Sequence, residues 1–168
     1  NVTTETQLIS VGDAIAPVIA GVPADGTYEC DAIPAAATVT VSDNCDNNIV
    51  PVYAESITAG NCTDNYTLTR TWTATDACGN ATTAVQVLTI EDTTAPSISG
   101  VPANVTGDCT TIPTVPAAGV VIASDNCDLD IVPVFSESEV LGACANSKVI
   151  TRTWTATDNC GNVTTETQ

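Results

Sequence analysis

Carboxylates are the only reactive side chains this chain holds in quantity. Its 168 residues include 20 Asp and Glu against 3 Lys and Arg, no His, and 8 Cys, for a formal charge of -17. The acids cluster in three kinds of segment: a linker (Asp13, or Glu91 and Asp92), a Ser-Asp-Asn-Cys-Asp loop (Asp43 and Asp46, or Asp125 and Asp128), and the end of a Thr-rich strand (Asp76 or Asp158). Gathered at one pole of a domain, these oxygens suit Ca2+, a hard ion that takes six to eight oxygen ligands. A bound cation would also relieve the self-repulsion of so acidic a chain. The competing reading is that the same Asp and Asn residues only close Asx turns and solvate loops. The spacing is not that of an EF-hand loop.

Other chemistries find too few participants. Arg70, Lys148 and Arg152 cannot neutralise a phosphate backbone, so no nucleic-acid partner is expected. Without His, the commonest general base and metal ligand is missing. A zinc site would need Cys-x-x-Cys or His spacing, and neither occurs. A carboxylate pair of the glycosidase kind needs a cleft with aromatic walls, whereas aromatic residues make up 4% of the chain. The chain is therefore read as non-enzymatic. Arg70 and Arg152 alternate with Trp72 and Trp154, where a buried charge needs a partner. Glu55 and Glu137 recur at matching positions, so structural ion pairs Arg70–Glu55 and Arg152–Glu137 are expected, with Trp72 and Trp154 as core residues rather than sugar platforms.

These residues come in duplicate because the chain does. TRTWTATD stands at Thr69–Asp76 and again at Thr151–Asp158, 82 positions later, and SDNCD at Ser42–Asp46 and Ser124–Asp128 keeps that offset. The Ala16–Ala24 stretch recurs at Ala95–Ala103, 79 positions on, and a short insertion near Val115–Gly119 accounts for the change. Cys30, Cys45, Cys62 and Cys78 match Cys109, Cys127, Cys144 and Cys160. NVTTETQ occurs at both Asn1–Gln7 and Asn162–Gln168. Residues 1–11 then read as the last strand of a preceding repeat, 12–92 as the first repeat, and 93–168 as a second one whose last strand is cut short. The pattern is that of a piece of a longer tandem array.

Thr67–Asp76 alternates strictly, with Leu68, Arg70, Trp72 and Ala74 on one face and threonines on the other, the signature of a half-buried strand. Thr38–Ser42, Ile49–Ser56 and Ala81–Ile90 also read as strands between Gly, Pro, Asn and Asp. No stretch has helical periodicity of useful length, and none of about 18 apolar residues could span a membrane. The expected fold is all-β: tandem immunoglobulin-like Greek-key β-sandwiches, about 80 residues each, in a rod-like array. The linkers Gly12–Ala16 and Glu91–Ala95 are short enough to make the joints stiff.

Small domains with small core residues need a supplement, and disulfides in an oxidising, extracytoplasmic setting supply it. The strand between Cys62 and Cys78 spans roughly 30 Å at about 3.3 Å per residue, too far for that pair to bond if the strand is continuous. Cys30 and Cys62 precede two strands that run the same way, and Cys45 and Cys78 follow them. Start-to-start and end-to-end pairing then predicts Cys30–Cys62, Cys45–Cys78, Cys109–Cys144 and Cys127–Cys160, with sequential pairing as the alternative.

The runs DTTAP at Asp92–Pro96, SDNCD at Ser42–Asp46 and RTWTATDACGN at Arg70–Asn80 resemble hyalin-repeat-like, immunoglobulin-like units of very large Bacteroidetes cell-surface proteins, including SprB-type gliding-motility adhesins. The resemblance covers nearly the whole chain, twice over. It implies type IX export and display as a filament or stalk on the bacterial surface. The first linker departs from it, reading GDAIAP at Gly12–Pro17. Asp92-Thr93-Thr94 resembles a short Bacteroidetes O-glycosylation acceptor, which makes Thr93 a candidate modification site.

Three readings follow. One is a disulfide-stapled spacer of an adhesin filament, whose partners are neighbouring repeats. Another is a module whose loops bind a glycan or protein. The last is a fibre in which residues 1–11 of one chain complete the second sandwich of the next.

Overall fold

The computed structural model describes residues 1–168 and contains strands without helices. No helix is long and apolar enough to cross a membrane. The first repeat is built on a four-stranded sheet in the order β2 (Gly26–Glu29), β6 (Ala81–Glu91), β5 (Tyr66–Thr75), β4 (Val52–Ala59). A two-stranded antiparallel sheet, β1 (Val18–Ala20) with β3 (Thr40–Ser42), accompanies it, pairing Ile19 opposite Val41. The second repeat follows the same plan. Its β9 (Val134–Leu141), β10 (Lys148–Thr157) and β11 (Val163–Thr167) form an antiparallel sheet, and β7 (Ser97–Ser99) pairs with β8 (Ile122–Ser124). Several separate sheets per chain, all of β-strands, agree with a sandwich-type all-β architecture.

Alternation along β5 and β10 decides what the core contains. Leu68, Arg70, Trp72 and Ala74 are buried, as are Arg152, Trp154 and Ala156, while the intervening threonines are half-exposed. Period-two geometry puts every second side chain on one face. Leu88 and Ile90 of β6 complete the first core and are fully buried. Each Trp meets one aromatic from the flanking strand: Tyr53 on Trp72 and Phe135 on Trp154, both with ring centroids 5.3 Å apart. That tilted geometry suits the ring quadrupoles.

The same strand carries a guanidinium into each core, where it must be paired. Arg70 Nε donates to Glu55 Oε1 at 3.0 Å and Nη2 to the Pro34 carbonyl at 2.7 Å. Arg152 Nε donates to Glu137 Oε2 at 2.8 Å and Nη2 to the Pro113 carbonyl at 2.7 Å. Each arginine thus ties the sheet to the opposite loop at the same repeat position. Lys148 forms a further pair with Glu139 at 2.7 Å.

Two features stand beside the repeat boundaries read from the sequence. Residues 1–11 form no strand and are exposed, because an extended segment becomes a strand only beside another that takes its backbone hydrogen bonds. Compactness also does not follow the repeat boundaries at 12–92 and 93–168. One compact unit comprises Asn1–Gly26, Pro34–Ile57 and Leu68–Leu88; the other comprises Thr27–Ile33, Thr58–Thr67 and Thr89–Gln168. Three segments from one end of the first repeat therefore belong with the second repeat.

Candidate functional site: acidic triads and cross-repeat disulfides

The turn after each Thr-rich strand is what positions the acids. Asp76 closes the β5–β6 turn by accepting from the backbone N–H of Cys78 at 2.9 Å and of Asn80 at 2.8 Å, and from Asn80 Nδ2 at 2.7 Å. Asp158 does the same with Cys160, Asn162 and Asn162 Nδ2, at 2.9, 2.9 and 2.8 Å. Gly79 and Gly161, each with φ of 92°, permit a backbone that other residues rarely adopt. The same asparagines then hold the linkers: Asn80 Nδ2 donates to the Asp13 carbonyl and Asn162 Nδ2 to the Asp92 carbonyl. In the sequence Asn80 and Asn162 stand out only as Asn-x-Thr triplets, and the duplicated Asp-x-Cys-Gly-Asn is the signal for their role at the linker.

Two triads result, one in each compact unit. Asp13, Asp43 and Asp76 present carboxylate oxygens within 4.8 Å of one another, and so do Asp92, Asp125 and Asp158. In the second triad Asp92 and Asp158 are buried, and one oxygen each of Asp92 and Asp125 is buried without a hydrogen-bond partner. Asp43 has such an oxygen in the first triad. Oxygen donors that are crowded, desolvated and unpartnered fit a hard divalent cation. GDAIAP, despite its departure from the resembled pattern, still places Asp13 with Asp43 and Asp76.

The other expected ligands lie apart from the triads. Asp46 Oδ1 accepts from the Asn48 N–H, and Asp128 accepts from the backbones of Asp130 and Asn159. The contacts with Asn48 and Asp130 are Asx turns, as the competing reading had it, and the one with Asn159 joins two loops of the second repeat. Glu91 ends β6 outside either triad. Thr93 donates its hydroxyl to Glu29, whose other oxygen accepts from the Thr93 N–H.

Burial pushes the Asp92 carboxyl above its ordinary range, and the charges of Asp158, Asp125 and Glu29 push the same way. For Asp76, loss of water would raise the value, but the hydrogen bonds from Asn80, Cys78 and Gly79 outweigh it and hold the carboxyl below its ordinary range.

The cysteines require a correction. Cys30 is bonded to Cys127 and Cys62 to Cys160, with Cα separations of 5.9 and 5.1 Å. Cys30–Cys62, Cys45–Cys78, Cys109–Cys144 and Cys127–Cys160 are therefore not the pairs that form; Cys45, Cys78, Cys109 and Cys144 are free and exposed. Cys30 and Cys62 both reach cysteines of the second repeat. The error lay in confining each bond to one repeat. The loops bearing Cys30 and Cys62 meet the Cys127 and Cys160 loops of the next repeat, all within one compact unit.

Polar contacts surround these bridges. Asn65 Oδ1 accepts from the Asp92 N–H at 2.6 Å, and Asn159 Nδ2 donates to Asp64 Oδ2 at 2.7 Å. The joint is thus two disulfides enclosing an acidic triad.

Residues 18–90 match the HYR-like domain with 4 cysteines. The match covers less than half of the chain. No curated protein matches the chain. The four cysteines of the HYR-like stretch are Cys30, Cys45, Cys62 and Cys78, and the bonded two reach outside it. A disulfide-held HYR-like domain points to an extracellular, adhesion-type repeat.

Proposed function

We propose that the chain is a tension-resisting spacer from a cell-surface adhesin filament, built of tandem immunoglobulin-like repeats. The observation that carries the reading is the pair of disulfides joining successive repeats. Bonds confined to one repeat would stiffen each domain alone; bonds across a joint keep two domains from parting under load. The reading assigns the chain no enzymatic step, and its partners are neighbouring repeats. The likeness of Arg70–Asn80 to the motif of gliding-motility adhesins supports the finer placement on a bacterial surface after type IX export.

Calcium is part of the same proposal. The two triads would each hold one ion beside a joint, and the buried, unpartnered oxygens of Asp43, Asp92 and Asp125 support it. The ion would supply charge compensation and fix the linker against the two loops.

Pulling the full chain by its ends tests the spacer. With bridges intact, the 97 positions between Cys30 and Cys127 are bypassed, so full extension falls short of the reduced chain by roughly 320–350 Å at about 3.3–3.6 Å per residue. Equal extension with and without reductant would remove the mechanical role.

A further inference from the structure

Each acid of the Asp92–Asp125–Asp158 triad is held by a residue that a bridge anchors. Asp125 Oδ1 accepts from the backbone N–H of Cys127 at 2.9 Å, and Asp158 Oδ1 from that of Cys160 at 2.9 Å. Those two cysteines are the second-repeat ends of the bridges. The first-repeat ends hold the third acid. Asn65, whose N–H donates to the Cys62 carbonyl at 3.3 Å, accepts the Asp92 N–H on its own Oδ1 at 2.6 Å. Glu29, the residue before Cys30, accepts from both the N–H and the hydroxyl of Thr93, next to Asp92. Asp92 also belongs to a second cluster, in which its carboxylate, that of Glu29 and the Cys127 sulfur lie within 4.8 Å of one another. Bridges and triad therefore share one set of contacts, all inside one compact unit.

What these contacts leave over points to a ligand. Asp92 is 4% exposed; its Oδ1 accepts from the Thr94 N–H, and its Oδ2 is buried without a partner. Asp125 uses Oδ1 for the Cys127 and Asp128 N–H groups and leaves Oδ2 buried and unpartnered. Asn126, on the same loop, has a buried, unpartnered Oδ1. Desolvated carboxylates that repel one another oppose burial unless a cation takes their oxygens. The bridges hold the joint in the state where that conflict is greatest, whereas an open joint returns Asp92 to water.

We infer that the closed joint is a calcium site gated by its disulfides: Ca2+ binds the Asp92–Asp125–Asp158 triad more tightly when Cys30–Cys127 and Cys62–Cys160 are formed, and bound Ca2+ in turn favours their formation. Reduction releases the loops of Glu29 and Asn65 from those of Cys127 and Cys160, and the carboxylates lose the frame that gathers them. In the other direction, the ion removes the repulsion that opposes closure. Linkage makes the two effects equal, since the ratio of calcium affinities must match the ratio of equilibrium constants for forming both bridges. For each bridge two S–H bonds break and one S–S bond forms. The two protons and two electrons pass to a disulfide oxidant such as glutathione disulfide, which is released as two thiols. The inference rests on the calcium reading of this triad and adds its regulation; it holds whether or not the chain bears force.

The test uses the full chain with Cys45, Cys78, Cys109 and Cys144 changed to Ser, so that only the two bridges exchange. Asp13→Asn and Asp43→Asn are added so that only the second triad reports. Calorimetric titration with calcium chloride is run on the oxidised protein and on protein reduced with a phosphine. The oxidised form should bind about fivefold more tightly or better, the lower end of ordinary coupling between sites. In glutathione buffers, saturating calcium should shift the equilibrium for forming both bridges by that same factor. Asn65→Ala leaves both bridges closed, so it keeps the test independent of any loss of fold on reduction. It should weaken calcium binding to the oxidised form about tenfold, as loss of an outer-shell partner does, and Asn65→Asp, which keeps the acceptor oxygen, should restore it. Absence of calcium binding in either state would remove the calcium reading and the inference with it. Equal affinity in the two states, or a bridge equilibrium indifferent to calcium, would leave the calcium reading standing and overturn the coupling.

Discussion

The two acidic triads are alike in sequence and unlike in surroundings. Asp13, Asp43 and Asp76 sit beside two free cysteines, with Asp13 and Asp43 only half-buried. Asp92, Asp125 and Asp158 sit beside two closed bridges, and Asp92 is down to 4% exposure. Glu29, Asp64 and Asn65 of the first repeat line the closed joint. Burial of the linker acid, complete at Asp92 and partial at Asp13, thus goes with the closed joint, whereas Asp76 and Asp158 are buried in both triads. The cost of that burial is visible in the raised Asp92 carboxyl, and the bridges hold the joint shut against it.

Opening the bridges should erase the difference most completely. Changing Cys30, Cys62, Cys127 and Cys160 to Ser together should lower unfolding stability by on the order of 4–5 kcal/mol, the value for closing a loop of about 100 residues. Urea denaturation measures the loss. Hydrogen exchange should place it around Asp92 and Asp158 and leave the Asp13–Asp43–Asp76 turn protected as before.

Calcium comes next in size. An ion at 100 times its dissociation constant stabilises by about 2.7 kcal/mol, so adding excess EGTA should lower Tm by several degrees. Asp92→Asn should remove most of the calcium response of the closed joint and leave that of the open triad. No change in Tm with EGTA would return both triads to turn chemistry.

The smallest expected effect has opposite signs in the two triads. Asp92 has a folded-state pKa above its unfolded value, so the native state holds its proton more tightly. Without calcium, its contribution grows as pH falls through the raised value and levels off below the ordinary carboxylate range. Asp76 is depressed, so its stabilising contribution is present above the ordinary value and is lost as pH falls through the folded one. Comparing Asp92→Asn with Asp76→Asn between pH 3 and 7 separates them. In metal-free buffer Asp92→Asn should be stabilising near pH 7 and Asp76→Asn destabilising. Parallel profiles would mean the triads do not differ as described.

What could be read in advance follows physical locality. The burial of Leu68, Trp72 and Ala74 is a property of one strand and shows in its alternation. The Arg70–Glu55 pair needs only neighbouring strands of one repeat. The acid triads follow because the turn at Asp76 and the SDNCD loop share a pole. Cys30 is different: Cys45 and Cys127 occupy the same repeat position and are indistinguishable as partners by spacing. Choosing between them requires knowing that the Glu29–Asp31 and Asn61–Asn65 loops pack on the next repeat, and no local pattern encodes that. Nor does alternation reveal that Asn80 and Asn162 bind the linker, since their role depends on a turn with a positive-φ glycine.

The claim on which the rest depends is that successive repeats are bonded to each other. Proteolysis of the oxidised 168-residue chain, with free thiols blocked beforehand and peptides identified without reduction, tests it directly. The expected result is one peptide pair joined through Cys30 and Cys127 and another through Cys62 and Cys160, with the block on Cys45, Cys78, Cys109 and Cys144. Recovery of Cys30 joined to Cys62, or of Cys127 joined to Cys160, would contradict it.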